Sequence, residues 1–377
     1  MTIGILLPLS NAHPGIFKDF LDGLNSLLSL QDFAGQVTIK KESIGFGGTE
    51  KEVYAKAEKL LVNEDVDILM AYIDEKVTGM LYSIVQSTGK LLIIINPGAN
   101  HPLNWVPQPT VIHLTLQHSF LCSLTGALAS AQNHKQAAYA SSFYDCGYLH
   151  SLAMVKSFSD TGGKIVFNYI NNQIYDKSFE ISQLTNFLNV TPDCASILCL
   201  YDELPSSLFY DRLKAYNGSL NLFVSPMMMN SKALSSLETD HKLNIQGYLS
   251  WLPGLTNDIN IHFARNCKRT VTGFSLLGWE AGLVVAELLR SGNHDFEKGE
   301  SLVSDLTNSV LKSPRGEMTL DKETLYYTSQ IGRFSLEQGT VEPIIDWNCD
   351  YSDAWKAFTL FNIEGAVAGW TNTYLCY

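Results

Sequence analysis

The sequence predicts an α/β protein of two doubly wound lobes, each a parallel sheet covered by helices. Three observations predict it. Strand-like apolar runs alternate with helical periodicity over most of the chain, the alternation restarts near Gln136, and 377 residues are too many for one simple core. Repeated strand-helix-strand order means parallel strands with helices on both faces, and two runs of it mean two sheets.

Ile3 to Pro8 reads as the first strand. Ile16, Phe17, Phe20, Leu21, Leu24, Leu27 and Leu28 then recur at helical spacing. Gly35 to Lys40 reads as a strand and Gly45-Phe46-Gly47-Gly48 as a turn. Thr49 with Glu52 forms a capping box for a helix lined by Val53, Ala57, Leu60 and Leu61. Val66 to Met70 is a strand, Val77 to Thr88 a helix and Leu91 to Ile95 a strand.

That last strand is the most informative stretch. The run Lys90 to Ile95 breaks into Asn96-Pro97-Gly98-Ala99-Asn100-His101-Pro102. An apolar strand ending in small, polar, turn-forming residues is how a parallel strand meets a ligand crevice. Gly98 and Ala99 permit close approach to the main chain, and Asn100 and His101 place polar atoms beside it. An ordinary strand exit has the same composition, but its place as the end of the fourth unit in the first sheet favours the crevice.

Val111 to Leu116 is a strand, followed by a helix from Ser119 to Asn133. The second run takes strands at Gln136 to Ala140, Lys164 to Tyr169, Ala195 to Leu200 and Leu222 to Ser225. Its helices run from Gly147 to Thr161, Phe179 to Leu188 and Leu204 to Ala215. A third section has a strand at Ile245 to Trp251 and a long helix at Gly273 to Leu289. Glu317 to Leu320 and Gly332 to Ser335 follow as short strands with a turn between them. Residues 346–377 form an aromatic-rich extension whose rings need burial, so it is expected to be docked.

Composition narrows the function. The chain is 46% hydrophobic and 17% charged, as a globular protein is. A net charge of -12 argues against a nucleic-acid partner and against an anionic membrane surface. No membrane insertion is expected, because the longest apolar candidate, Thr272 to Leu289, carries Glu280 and Glu287. Met1-Thr2 leads directly into the first strand without a basic n-region, so either the chain acts in the cytoplasm or a leader has been removed. The seven cysteines are odd in number and show no C-x-x-C spacing, which favours free thiols and leaves a disulfide as the alternative. Cys194 and Cys199 face opposite sides of one strand and are poor partners for each other.

The motifs of catalysis are missing. Gly45-Phe46-Gly47-Gly48-Thr49-Glu50 ends in Glu where a dinucleotide fingerprint needs Gly, and it follows the second strand. No Walker-type lysine motif exists, Gly273-Phe274-Ser275-Leu276-Leu277 lacks the closing glycine of a nucleophile elbow, and no histidine pair has metal spacing. Met227-Met228-Met229 reads as adaptable hydrophobes after a strand in preference to a soft-metal site. No cofactor and no metal are expected.

The order of segments resembles the type I periplasmic binding proteins, in particular the branched-chain amino-acid and amide-binding receptors of ABC transporters. Five places between residues 3 and 345 carry the resemblance. They are Ile5-Leu6-Leu7-Pro8-Leu9-Ser10 with Phe20-Leu21-Asp22-Gly23-Leu24, Lys59-Leu60-Leu61 with Val66-Asp67-Ile68-Leu69, the Asn96 to Pro102 loop, Phe143-Tyr144-Asp145-Cys146-Gly147, and Ser313-Pro314-Arg315-Gly316-Glu317-Met318-Thr319-Leu320-Asp321.

The resemblance implies two lobes joined by three crossings and closing over ligand by a hinge. Lobe one would take residues 1–116 and 247–325, and lobe two residues 117–246 and 326–345. It implies a ligand site at the carboxyl ends of both sheets, and matching residue by residue gives its members. Thr78 falls where the family offers a hydroxyl and helix amides to a carboxylate, though it would serve equally as a helix cap. Ala99 and Asn100 fall at its contacts after the fourth strand. Tyr144 matches an aromatic that closes over ligand, with simple packing as its other role. Asp202, beside Glu203, follows the Ala195 to Tyr201 strand, and either acid reads also as a solvated loop residue. His13 and His118 lie at loop ends near the mouth or on the surface. Met227 stands on the opposite wall.

One departure matters. Amino-acid binders of the family have an acid after the strand corresponding to Leu222 to Ser225, where this chain has Pro226-Met227-Met228-Met229. A buried ammonium without a carboxylate is costly. The ligand is therefore expected to be other than an α-amino acid unless Asp202 or Glu203 substitutes.

The implied function is a receptor that delivers a small organic solute, such as an amino acid, amide or carboxylate, to an ABC permease from the periplasm. The alternative is a cytoplasmic sensor of the same fold with its own partner, and a small-molecule enzyme is the least favoured reading. No helix-turn-helix precedes the first strand, which disfavours DNA binding.

Overall fold

The apolar strand runs become sheet interiors, with β-strands 68–72, 91–96, 111–115 and 196–200 buried along their whole length. The computed structural model describes residues 1–11, 13–46, 50–102, 105–143, 149–171, 178–292, 298–348 and 350–360. They divide into two compact units. Unit one takes residues 1–116 and 253–330, and unit two residues 117–252 and 331–360, so within the described residues the chain passes between the units three times.

Unit one begins with β1 (Thr2–Leu7), α1 (Ile16–Leu30), β2 (Thr38–Ser43), α2 (Glu50–Glu58), β3 (Ile68–Tyr72), α3 (Gly79–Thr88), β4 (Leu91–Asn96) and β5 (Val111–Thr115). Unit two continues with α4 (His118–Ala131), β6 (Gln136–Ser142), α5 (Leu149–Asp160), β7 (Lys164–Asn171), α6 (Ser182–Val190), β8 (Ser196–Leu200), α7 (Glu203–Leu213), β9 (Leu220–Val224), α8 (Ser231–Leu234) and β10 (Leu243–Leu249). The chain returns to unit one for α9 (Asp258–Asn266), α10 (Gly273–Arg290), α11 (Gly299–Thr307), β11 (Val310–Ser313), β12 (Gly316–Leu320) and β13 (Tyr327–Ser329). It ends in unit two with β14 (Gly332–Leu336), β15 (Ile344–Asp346) and α12 (Ser352–Thr359).

The α/β class and the two parallel-rich sheets read from the sequence are those observed. The first sheet has five strands in the order β2-β1-β3-β4-β5, all parallel. The second has seven, in the order β15-β14-β10-β9-β8-β6-β7. Its β7, β6, β8, β9 and β10 are parallel, and β14 and β15 are added antiparallel at one side.

Two readings shift. The strand expected at Gly35 to Lys40 starts later: Ala34–Gln36 is a 3-10 turn and β2 runs from Thr38, where its N–H donates to Met1 O (2.9 Å). Pairing with β1 sets that register, and local composition does not contain it. Glu317–Leu320 and Gly332–Ser335 are not joined as neighbours. The first lies in β12, between β11 and β13 in a three-stranded antiparallel sheet, and the second pairs with β10 in unit two. The three-residue β13, too short to read in advance, takes the free edge of β12.

In unit one, α1 and α10 pack at backbone contact distance. A Cβ added to Gly23 would come within 1.9 Å of Ser275 O, and one at Gly278 within 2.0 Å of Phe20 O, so only glycine permits this approach. The two acids on α10 that argued against a membrane span part company. Glu280 is fully buried, and Arg315 Nε and Nη2 donate to its oxygens at 2.7 and 3.0 Å while Ser313 Oγ donates to the same carboxylate. Glu287 pairs at the surface with Arg290. No described helix is long and apolar enough to cross a membrane. Of the aromatic extension, Trp355 and Phe358 pack on Phe120 at 5.2 Å each and Tyr351 meets Tyr248 at 5.4 Å; residues from 361 onward lie outside the described residues. The capping residue Thr49 also lies outside them.

Candidate functional site

A doubly wound sheet leaves a crevice at its carboxyl edge where the strand order reverses. In unit one the reversal falls between β1 and β3, since the chain runs from β1 to β2 on one side and returns to β3 on the other. The loops at that edge follow β1, β3 and β4.

The loop after β4 is held by Asn96. Its Nδ2 donates to Ile73 O (3.0 Å) and Glu75 Oε1 (3.1 Å), and its Oδ1 accepts from Gly98 N (2.8 Å). Gly98 sits at φ +78°, in the left-handed region that favours glycine. Ala99 is buried, and Asn100 Nδ2 donates to Asp74 Oδ2 at 2.7 Å. His101 stacks on Trp105 at 5.8 Å, and burial lowers its pKa.

The loop after β3 meets it. Asp74 caps the turn that opens here, its Oδ1 accepting from Lys76 N (2.9 Å). The helical run therefore begins at Glu75, ahead of the predicted start, and Thr78 lies inside it. Thr78 Oγ1 donates to Glu75 O (3.0 Å) and lies 3.1 Å from the Tyr82 hydroxyl, an internal engagement with no cap hydrogen bond from the side chain.

Behind both loops Glu75 is buried against His113 of β5, whose Nδ1 lies 3.1 Å from each carboxylate oxygen. The His113 ring stacks on Tyr326 at 4.1 Å with an interplanar angle of 4°. Burial opposes the charge on Glu75. The His113 charge and hydrogen bonds from His113, Asn96 and Tyr326 outweigh it and hold the carboxyl below its usual range. Burial also pushes the Lys76 ammonium down and the Tyr72 hydroxyl up.

His13 belongs to this edge through aromatic contact. Its N–H donates to Ser10 Oγ (3.0 Å), and its ring meets Phe274, at the start of α10, edge-on at 5.0 Å. Phe274 in turn lies 6.3 Å from Tyr72. Unit one thus brings Thr78, Ala99, Asn100 and His13 to one sheet edge. It adds Tyr72, Asp74, Glu75, Asn96, His113, Phe274 and Tyr326, which sequence reasoning had not assigned to the site. Asn96 was within the quoted loop. Glu75 and His113 are 38 positions apart, and no local pattern announces that pair.

In unit two, Asp202 follows β8 and caps α7, its Oδ1 accepting from Glu203 N (2.6 Å). Glu203 pairs with Lys232 at 2.5 Å. Met227 follows β9 in a 3-10 turn, Pro226–Met229, and is half-buried, while Met228 and Met229 enter the core. The Tyr210 hydroxyl donates to Met228 O at 3.0 Å. His118 opens α4 behind Gln117, whose φ is +57°. Tyr144 lies outside the described residues. Among the described residues no group of three or more His, Cys, Asp or Glu side chains could hold a metal ion.

The family described as periplasmic binding protein matches residues 1–328. Among solved structures, the chain is similar to a solute-binding protein of an ABC transporter from R. palustris in complex with benzoate. Identity is 17%, coverage 91% of this chain and 94% of that one, and the TM-score 0.71. An ABC transporter substrate-binding protein from Sphaerobacter thermophilus is similar at 14% identity, with 92% and 98% covered and a TM-score of 0.71. A leucine-binding protein from Thermotoga maritima is similar at 12% identity, with 92% and 97% covered and a TM-score of 0.63. Comparison with curated protein sequences finds no match.

Proposed function

The chain belongs to the periplasmic binding protein family, and on that premise we propose that it is a solute-binding protein of the periplasm. It captures a small organic solute for an ABC permease and performs no chemistry on it. The observation that carries this reading is the carboxyl edge of unit one. There Asn96 fixes a left-handed Gly98, and Asn100 is tied to Asp74, so backbone and amide groups stand preorganised for a carboxylate or amide.

The solute class we propose is a carboxylate or amide with an apolar portion. Asp202 is engaged by the amide of its own helix and Glu203 by Lys232, and a methionine turn follows β9. An α-ammonium desolvated against the methionine turn would lack a matching charge there. The R. palustris protein is described with benzoate, an apolar carboxylate of this kind.

Denaturing mass spectrometry of co-purifying molecules, followed by thermal shift with benzoate, 4-hydroxybenzoate, L-leucine and simple amides, tests the reading. Solute at a hundred times its Kd should stabilise the chain by about 2.7 kcal/mol. A shift with L-leucine and none with benzoate would keep the receptor and overturn the solute class. No shift with any carboxylate or amide would sink both.

A further inference from the structure

We infer that Glu75 is a positioning residue for solute capture: without touching solute, it sets the Gly98–Asn100 backbone through Asn96. The inference rests on the solute-binding reading above. The Glu75 side chain is fully buried, and its Oε1 accepts from Asn96 Nδ2 at 3.1 Å. That bond orients an amide whose other groups are already engaged, Nδ2 also with Ile73 O and Oδ1 with Gly98 N. An amide so bound cannot flip without losing three partners, so Gly98 keeps its left-handed φ and the chain leaves it in one direction. Asn100 then reaches Asp74, the neighbour of Glu75, and a ring of contacts closes between the two loops.

Stability alone is a weak reason for such a residue, since replacing both members of a buried pair by packed apolar side chains is often neutral or stabilising. Removing Glu75 alone leaves buried His113 without its acceptor. A methionine, nearly equal in volume, would fill the space of Glu75. The turn itself does not depend on the carboxylate, since Asp74 caps it and Thr78 bonds to the Glu75 backbone oxygen. What methionine lacks is an acceptor for Asn96.

The test compares Glu75→Met and Glu75→Gln in the full chain. Binding is read by calorimetry with benzoate, and with L-leucine if benzoate gives no heat. Amide hydrogen exchange is read over Asn96–His101. Glu75→Met should lower the melting temperature, bind about ten-fold more weakly and exchange faster at Gly98–Asn100. Glu75→Gln, which can still accept from Asn96, should restore both readouts. Wild-type affinity and exchange in Glu75→Met, or no rescue by Glu75→Gln, would overturn the inference. If Glu75→Met does not fold, Asn96→Ala removes the intermediary from the other side and decides the same question: it should loosen the same amides, and unchanged exchange there would overturn the inference. If neither solute binds the unaltered protein, the functional reading fails, while the exchange data still decide whether Glu75 holds the loop.

Discussion

Among the described residues, the acid–base pairs buried on both sides lie in unit one, and the ion pairs of unit two lie at the surface. In unit one, Glu280 is clamped by Arg315 and Glu75 faces His113, both pairs buried. In unit two, the ion pairs among the described residues are Lys156–Asp160, Arg212–Asp211, Lys214–Asp211 and Lys232–Glu203, with side chains 28% to 72% exposed. Its carboxyl edge leans on packing instead, with Met228 and Met229 in the core and Tyr210 tying the turn. Both units nevertheless use glycine to bring helices together. A Cβ at Gly126 on α4 would come within 2.0 Å of Met154 O on α5, as at Gly23 on α1. The shared scaffold is thus packing, and a buried acid–base pair, Glu75 with His113, is what distinguishes the edge proposed to orient solute.

The largest expected effect breaks that contrast where it is strongest. Arg315→Met leaves Glu280 buried without its partner and should cost about 3–5 kcal/mol. Urea unfolding measures the loss, and peptide-resolved hydrogen exchange should place it in unit one, around α10 and β11–β12. Adding Glu280→Leu should recover most of it, because two apolar residues need no compensation. A loss under about 1 kcal/mol in the single variant would mean that the buried pair behaves like a surface one.

Much of the scaffold was legible beforehand, because it is written in local pattern. The run Leu91–Ile95 is apolar throughout and is buried throughout, as a central parallel strand must be. The turn at Gly98 was legible from residue type alone. The buried charges were not. Arg315 is 35 positions from Glu280, and Tyr326 reaches His113 only because β5 and the segment leading into β13 lie side by side. Thr78 illustrates a smaller gap: the acid pair Asp74-Glu75 starts the helix early and draws the Thr78 hydroxyl inward. The Pro226–Met229 turn was readable as adaptable hydrophobes, but which methionines enter the core depends on the partners that surround them.

Acid sharpens the comparison with a smaller effect, since a single proton is at stake. In the folded chain Glu75 titrates below its usual range, so through that range the folded state binds fewer protons than the unfolded one. Its contribution is complete above the ordinary glutamate value near 4.3 and is lost as pH falls through the folded value. Melting curves between neutral pH and the acid limit should show a steeper fall for the wild type than for Glu75→Gln. Exchange should rise first in the peptides of β3, β4 and β5. Equal acid sensitivity in both proteins would remove Glu75 as its source.

The smallest expected effect lies in unit two. Lys232→Ala removes the partner of Glu203, but Lys232 is 72% exposed and water screens the pair. The loss should be under about 1 kcal/mol and should vanish in high salt. Tyr210→Phe makes a useful companion, because its hydroxyl donates to Met228 O in the core and its removal should cost about 0.5–1.5 kcal/mol independently of salt. The comparison therefore turns on salt as much as on size. If Lys232→Ala costs more than Tyr210→Phe, or if its cost persists in concentrated salt, the Lys232–Glu203 pair is doing structural work at the end of β8. Asp202 and Glu203 would then have to be counted with the organised charge of unit one, and the contrast between the two units would fail at the residues that first raised the question of how the solute is gripped.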